Sequence, residues 1–149
     1  MPSGIHFDEQ PLGRLFTMIG RGYLNLLRSK LQHLDIDRYY YALLLISDHE
    51  EITQQELATL LDSNKVSVVR VVDYLSDKGY VNRIRKNDDK RKHKLVLTEK
   101  AKPAIAGIRQ AFNEMNELVL HGFDHVQMNE LNNAISRIKQ NITQNTESQ

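Results

Sequence analysis

The sequence contains no cysteine among its 149 residues. A chain without cysteine has no disulfide scaffold, no thiolate ligand for a metal and no thiol that senses oxidants. No basic flank followed by an apolar core stands at the N-terminus, so no secretory signal is predicted. The longest apolar stretch, YYYALLLI at 39–46, is much shorter than the ~20 residues that a transmembrane helix needs. We therefore expect a soluble, cytoplasmic protein.

The residue patterns of enzymes are also missing. The sequence shows no nucleophile–base pair, no glycine-rich phosphate loop and no convergent cluster of acids, so we predict neither catalytic residues nor a cofactor. His121 and His125 flank Asp124 and are the nearest approach to a metal site. Gly122 and an expected helix break argue against such a site, and we predict no metal.

The positive charge of the chain is concentrated in one segment. Residues 82–94 hold seven Lys or Arg against two Asp, a net charge of +5. Since the whole chain carries +1, the remainder carries −4. A local basic feature on a mildly acidic body favours oriented binding to an anion. The length and the 40% apolar content predict one globular domain over residues 1–149.

Apolar residues at helical spacing predict long helices at both ends of the chain. The first helix runs over about residues 11–33, with the stripe Leu12, Leu15, Phe16, Ile19, Tyr23, Leu26, Leu27 and Leu31. A second is capped by Thr98 and carries Ile105, Ile108, Phe112, Met115 and Leu118. After a break at 121–124, a last helix carries Val126 or Met128, Leu131, Ile135, Ile138 and Ile142. The polar tail, residues 144–149, is expected to fray.

Two short helices joined by a tight turn are predicted in the middle, after a buried helix at 39–48. Thr53 and Glu56 have the spacing of a capping box, which begins a helix that runs to about residue 61. Asn64 then caps a further helix to Lys78. Its buried stripe is Val68, Val71, Val72 and Leu75, and Gly79 with Tyr80 has the pattern of a Schellman end.

The period of the apolar residues changes from about 3.6 to 2 after Gly79. YVNRIR at 80–85 and KLVLT at 94–98 predict two strands joined by a charged loop. Two short helices followed by a hairpin are typical of a winged helix-turn-helix. The predicted fold class is therefore mainly α with a small two- or three-stranded β wing, plus a layer of terminal helices.

The helix from Lys65 to Lys78 presents an unusual outer face. Val66 and Val69 are apolar residues with no evident reason to face solvent, and contact with thymine methyl groups in a major groove would supply one. Arg70 is suited to a guanine edge or a phosphate, while Lys65 and Ser67 suit phosphates or base edges. The alternative is an ordinary amphipathic helix whose two valines pack on a neighbour.

The hairpin tip is too basic to pack in a core. Lys90, Arg91 and Lys92 follow Asp89, which we expect to orient Arg91 or to cap the turn. An arginine on a two-stranded ribbon can enter a minor groove beside the major groove that holds a helix. A solvated basic loop is the alternative. The position of the tip directly after a helix-turn-helix favours DNA.

Residues 57–102 resemble the MarR (multiple antibiotic resistance regulator) family of transcriptional regulators. The similar pieces are ELA at 56–58, Ser67 and Arg70 three apart, VD.L..KGYV.R at 72–83, D.R at 89–91 and LT.KA at 97–101. The flanking helices agree as well, so the resemblance covers nearly the whole chain. Ala101 departs from a frequent glycine, and Val66 and Val69 stand where small polar residues are common.

The resemblance implies a homodimer that binds a palindromic operator, usually as a repressor, and that a small aromatic or anionic effector releases. It implies that Ser67 and Arg70 lie in the major groove and Arg91 at the wing tip. The absence of cysteine argues against the peroxide-sensing branch. Residues 8–36 and 99–143 would form the dimerisation helices, and 37–98 the DNA-binding part. The effector pocket stays unassigned, because Tyr39, Tyr40 and Tyr41 are explained as well by packing.

Two residue sets summarise these expectations. The predicted dimerisation residues are Leu12, Leu15, Phe16, Ile19, Leu131, Ile135 and Ile138. The predicted DNA-binding residues are Thr53, Gln54, Lys65, Val66, Ser67, Val69, Arg70, Arg83, Asp89, Lys90, Arg91 and Lys92. The alternative function is a winged-helix module that binds proteins and has no specific affinity for DNA.

Overall fold

A computed structural model describes residues 10–86 and 89–148, without the side chains of 86–92. Its elements are α1 (Leu12–Lys30), α2 (Tyr40–Asp48), α3 (Gln54–Leu60), α4 (Lys65–Asp77), β1 (Val81–Lys86), β2 (Asp89–Leu97), α5 (Lys102–Val119) and α6 (His125–Glu147). This order confirms the predicted fold class. The chain divides within α5 into two compact units, Met1–Met115 and Asn116–Gln149. No helix in the described ranges has the length and hydropathy needed to cross a bilayer.

The first unit has one apolar core to which every helix from α1 to α5 contributes. α2 is buried on nearly all sides, as its apolar sequence predicts, with Leu43 fully inaccessible. α1 and α5 are neighbours, because Tyr23 stacks on Phe112 with ring centroids 6.5 Å apart. Each fully buried leucine contributes roughly 1.5–3 kcal/mol by leaving water. The core thus fixes the positions of the helices that surround α4.

The predicted helix starts at α3 and α4 are confirmed. Thr53 and Glu56 form both hydrogen bonds of a capping box, at 2.8 and 3.2 Å. The Asn64 side chain accepts from the Ser67 N–H at 2.8 Å and begins α4. Each cap satisfies backbone donors that have no partner inside their own helix. The starts of α3 and α4 are therefore set locally by three side chains.

α4 ends in the predicted Schellman motif. Gly79 has φ +81°, a left-handed conformation that glycine adopts without steric cost. The Tyr80 N–H donates to the Leu75 carbonyl and the Gly79 N–H to the Ser76 carbonyl, both at 2.9 Å. This arrangement satisfies the last carbonyls of the helix and turns the chain into β1.

The two strands form an antiparallel sheet, and the third strand is reduced to a single bridge. Val81 pairs with Leu97, and the register continues regularly to Arg85 and His93. The Leu95 N–H donates to the Ile52 carbonyl at 2.8 Å, which joins the sheet to the start of α3. The predicted charged loop was too long. β2 begins at Asp89, because the backbone pairs again with Lys86 after a shift of register.

The predicted start of α5 at Thr98 was wrong by one turn. The helix begins at Lys102, and residues 99–101 form a turn. Thr98 Oγ1 accepts from the Ala101 N–H at 3.3 Å and donates to the Gly79 carbonyl at 2.6 Å. Pro103 has no N–H to donate to the carbonyl four residues earlier, which prevents a regular helix from starting sooner.

The second unit consists of the end of α5 and the whole of α6. Gly122 has φ +86°, and Asp124 forms a capping box with Gln127 at 2.8 and 2.9 Å. No described residue of this unit is buried. α6 continues to Glu147, into the tail that was predicted to fray from residue 144. Side-chain hydrogen bonds to carbonyls one turn earlier, such as Thr146 to Ile142 at 2.9 Å, accompany its last turns.

Candidate nucleic-acid interface

The first half of α4 presents an exposed surface. Val66 is 66% exposed although it is apolar, and Lys65, Ser67 and Arg70 are exposed as well. Val69 is half-buried, so the prediction of two outward valines holds fully only for Val66. Within the described residues, neither Lys65 nor Arg70 forms an ion pair. Two cations and an apolar side chain are therefore available for a partner.

A cleft of about 360 Å³ adjoins this surface, between α3 and the start of α4. Both polar and apolar side chains line it. The lining residues are Gln54, Gln55, Ala58, Thr59, Ser63, Lys65 and Val68. An amide, a hydroxyl and an ammonium group can donate to phosphate or base oxygens. The cleft extends the α4 surface onto α3.

Arg83, a predicted DNA-binding residue, forms hydrogen bonds within its own chain. Its Nε donates to Gln54 Oε1 at 2.6 Å, and its guanidinium contacts Asp73 Oδ1 at 2.5 Å. One arginine from β1 thus connects the first residue of α3 with the middle of α4. Both Arg83 and Gln54 serve within the protein, and sequence reasoning missed the role of Asp73. No local pattern marks partners 10 and 29 residues apart.

The side chain and the backbone of Thr53 also interact within the chain. Its hydroxyl oxygen and its N–H both belong to the capping box with Glu56. Its backbone forms the bridge to Lys94. Thr53 therefore positions α3, and its side chain has one remaining donor for a partner.

The wing carries most of the predicted basic run. The side chains of Asp89, Lys90, Arg91 and Lys92 lie outside the described part of the structure, so their predicted roles stay predictions. Lys94, at the base of the wing, pairs with Glu51 at 2.6 Å. That ion pair connects β2 to the turn before α3. The Lys94 ammonium group is therefore engaged within the protein.

The loop between α1 and α2, residues 31–39, holds two aspartates against α4 and against Tyr80, three residues after the end of α4. Tyr80 donates to Asp35 at 2.5 Å, and Tyr74 donates to Asp37 at 3.0 Å. The hydrogen bond from Lys100, followed by that from Tyr80, holds the pKa of Asp35 down at about 2. These hydrogen-bond partners were not predicted from the sequence, because Asp35 and Asp37 were interpreted only as part of the break between two helices.

The three consecutive tyrosines do not share one environment. Tyr40 is 2% exposed and donates to the Ile36 carbonyl at 3.0 Å, whereas Tyr41 is 53% exposed. Tyr41 lies edge-on to Phe112 at 6.3 Å, and Tyr39 edge-on to Tyr74 at 5.3 Å. Packing accounts for Tyr39 and Tyr40.

His121 and His125 belong to no larger cluster of potential metal ligands within the described ranges. The described residues contain no group of three or more His, Cys, Asp or Glu that could hold a metal ion. Asp124 instead accepts from the Gln127 N–H as a helix cap. The Asp-x-x-Gln spacing would have predicted this cap from the sequence.

The predicted dimerisation residues lie on helix faces that are open to solvent in the single chain. On α1, Phe16 is 42% and Ile19 64% exposed. On α6, Leu131 is 37% and Ile135 46% exposed, and Ile138 is half-buried. Leu12 is 38% exposed and Leu15 half-buried.

Comparison with known proteins agrees with this geometry. Residues 39–93 match the model of the MarR family. The chain is 25% identical to a MarR transcriptional regulator from Methanosarcina mazei Go1, with a TM-score of 0.74 over 89% of this chain and 96% of that one. It is also 25% identical to a mutant MarR from E. coli solved with operator DNA, with a TM-score of 0.77 over 91% and 99%.

The transcriptional regulator SlyA has the same fold at 21% identity, with a TM-score of 0.82 over 91% of this chain and 96% of that one. The family match covers α2 to the middle of β2, which are the elements that build the α4 surface and the base of the wing. Residues 39–93 are accordingly similar to the MarR family, and the chain has the winged helix-turn-helix fold of these regulators.

Proposed function

We propose that this chain is a homodimeric, sequence-specific regulator of transcription, which represses by binding a palindromic operator in double-stranded DNA. The observation that carries the proposal is the exposed first half of α4, where Val66 stands beside two cations that have no acidic partner among the described residues. Solvent gives no reason for this combination. An α-helix that lies in a major groove can reach thymine methyl groups, guanine edges and phosphates.

Each side chain has a separate part in this proposal. Arg70 reads a guanine edge, Val66 contacts a thymine methyl group, and Lys65 with Ser67 holds phosphates at the start of the helix. Arg91 enters the adjacent minor groove, and Lys90 and Lys92 neutralise phosphates around it. Arg83 supports the surface through Gln54 and Asp73 without touching DNA.

A dimer explains the open faces of α1 and α6. Apolar stripes of this length are unusual on the surface of a monomer. Two-fold symmetry would place the recognition helices about one duplex turn apart, ~34 Å, and would require an operator with inverted half-sites. A small aromatic or anionic effector that binds between the dimer layer and the DNA-binding part would release the operator. A regulator of this kind acts in the compartment that holds the DNA, the cytoplasm.

The test is duplex binding over a range of salt concentrations. Wild-type protein first selects its operator from a random duplex library, and fluorescence anisotropy then gives the affinity at several salt concentrations. Arg70→Ala should lose about 1–3 kcal/mol on the selected operator and should accept other bases at one position per half-site. Arg91→Ala should reduce the slope of log K against log salt by about one.

Lys102→Ala is the control, since it removes an exposed cation that pairs with Glu99 on the approach to α5. It should leave sequence preference unchanged. The docking of α4 and the wing on DNA is wrong if both Arg70→Ala and Arg91→Ala bind like wild type. If wild-type protein selects no sequence and shows no salt-dependent affinity for duplexes, the alternative function, a protein-binding module, replaces the proposal.

A further inference from the structure

We propose that Asp37 and Tyr74 are positioning residues for DNA binding, because together they fix α4 to the end of α1. The inference rests on the proposed function and concerns how the two recognition helices of a dimer are held at the spacing of the operator. Neither residue is among the DNA-binding residues expected from the sequence.

Asp37 contacts both helices at once. The Arg28 Nε, in the last turn of α1, donates to the Asp37 carbonyl at 2.6 Å. The Asp37 N–H donates to the Tyr74 hydroxyl at 3.1 Å, and that hydroxyl donates to Asp37 Oδ1 at 3.0 Å. A single loop residue thus connects α1 to the second half of α4 through three hydrogen bonds.

The loop around Asp37 is itself held in place. Tyr39 has φ +64°, which is a rare conformation for a residue other than glycine and persists only where its surroundings enforce it. Its ring packs edge-on against Tyr74 at 5.3 Å. The Arg38 guanidinium lies 5.7 Å from the centre of the Tyr74 ring and donates to Asp37 Oδ1 at 2.8 Å. Movement of α4 would therefore disturb several contacts together.

A second connection holds the end of α4. Tyr80 donates to Asp35 Oδ1 at 2.5 Å, and Lys100 contacts Asp35 Oδ2 at 2.7 Å. The same Lys100 ammonium donates to the carbonyl of Lys78 at 2.8 Å. Both connections reach the second half of α4 or the residues just after it, so the first half stays free for a partner.

The two aspartates remain acceptors across the physiological pH range. The hydrogen bond from Arg38, followed by that from Tyr74, lowers the pKa of Asp37 to about 2. The pKa of Asp35 is lowered to about 2 by its bonds from Lys100 and Tyr80. A permanently charged acceptor makes the stronger hydrogen bond. The connection is thus a fixed structural feature at neutral pH.

The arrangement has a specific consequence for a two-fold dimer. The distance between the two recognition helices depends on how each is attached to the helices that pair across the axis. Asp37 is a direct attachment between α1, whose apolar face is open, and α4. Loss of this attachment should allow the dimer to bind half-sites at several spacings. Each recognition helix should still recognise its own half-site.

The experiment measures affinity for operators of altered spacing. The selected operator is compared with versions that have one base pair inserted or removed at its centre. Tyr74→Phe removes the hydroxyl and keeps the ring. Asp37→Ala removes the acceptor, whereas Asp37→Asn keeps Oδ1. Tyr41→Phe, at an exposed tyrosine on α2, is the matched control.

We expect Tyr74→Phe and Asp37→Ala to bind the selected operator about three- to tenfold less tightly, the range of one to two net hydrogen bonds. Their preference for that operator over the altered spacings should shrink by a similar factor. Asp37→Asn and Tyr41→Phe should keep the wild-type preference. Far-ultraviolet circular dichroism and urea midpoints establish that each variant is folded.

An unchanged spacing preference in both Tyr74→Phe and Asp37→Ala would overturn the proposal. So would an equal loss of affinity at every spacing, because the two residues would then support binding without setting the spacing of the half-sites. If Tyr74→Phe does not fold, the result of Asp37→Ala decides. A wild-type protein without specific duplex affinity instead refutes the proposed function.

Discussion

Tyr80 shows how one side chain serves both the core and the surface network. Its ring is 2% exposed, and its hydroxyl donates to Asp35. Burial, and next the bond to Asp35, raises the pKa of Tyr80 to about 12. Because the folded-state pKa lies above the ordinary value of 10.0, the neutral phenol stabilises the fold fully below pH 10. That contribution is lost as the pH rises from 10 to about 12.

Replacing Tyr80 by Phe tests this linkage. Between pH 10 and 12, the free energy of unfolding of Tyr80→Phe should fall less steeply than that of wild type, by up to about 1.4 kcal/mol per pH unit, the value for one proton. Urea unfolding at a series of pH values measures both slopes. Tyr41→Phe provides the comparison at an exposed tyrosine. Equal slopes for wild type and Tyr80→Phe would contradict the assignment.

Residue roles were predictable where they depend on neighbours in the sequence. Asn64 could be identified as a cap because its partner, Ser67, is three residues away. Arg83 was predicted to bind DNA, and its bonds to Gln54 and Asp73 were not predicted because these partners are distant in the sequence. A basic residue in a basic run carries no local sign that it is engaged within the protein.

At the scale of elements, the Schellman end of α4 determines where the wing begins. An alanine at position 79 would have to adopt φ +81°, and its Cβ would lie 3.7 Å from the Lys100 side chain. The steric distance is ordinary, so the conformation is the source of strain. We expect Gly79→Ala to lose about 1–2 kcal/mol of stability.

Gly20→Ala is the matched substitution inside a helix. Gly20 lies in α1, and a Cβ there would meet nothing within 4 Å. Alanine is the better helix former, so this variant should gain up to about 1 kcal/mol. Urea midpoints of the two variants should therefore move in opposite directions. A Gly79→Ala protein as stable as wild type would show that the turn tolerates another conformation.

The elements could be predicted wherever a start signal and a periodic stripe coincide. α4 has both and α3 has a capping box, and the caps at Asn64 and Thr53 were predicted to the residue. α5 has a cap at Thr98, but Pro103 delays the helix by one turn. β2 begins earlier than predicted because Asp89 pairs with Lys86 through the backbone. The charged side chains of this segment do not indicate that pairing.

At the scale of the molecule, the proposed dimer makes α6 the most informative helix. Replacing Ile135, which is 46% exposed, by Glu places a charge in the expected apolar contact. Ile135→Glu should sediment as a monomer in analytical ultracentrifugation and should lose most of its operator affinity. The desolvation of an unpaired carboxylate is too costly for the contact to survive.

Asn133→Glu is the control on the same helix. Asn133 is two residues from Ile135 and hence about 200° away around the helix axis. This variant should remain dimeric and keep its affinity. A dimeric Ile135→Glu protein with normal affinity would exclude this face of α6 from the interface.

The absence of buried side chains in the described part of the second unit affects how operator occupancy depends on protein concentration. A helix without buried side chains gains little stability from packing within its own chain. In the proposed dimer, folding of α6 and pairing are then linked by mass action. At concentrations below the dimer dissociation constant, occupancy of the operator would rise with the square of the protein concentration. A twofold change in expression would change occupancy about fourfold, which gives the regulated gene a steeper response than a monomeric regulator provides.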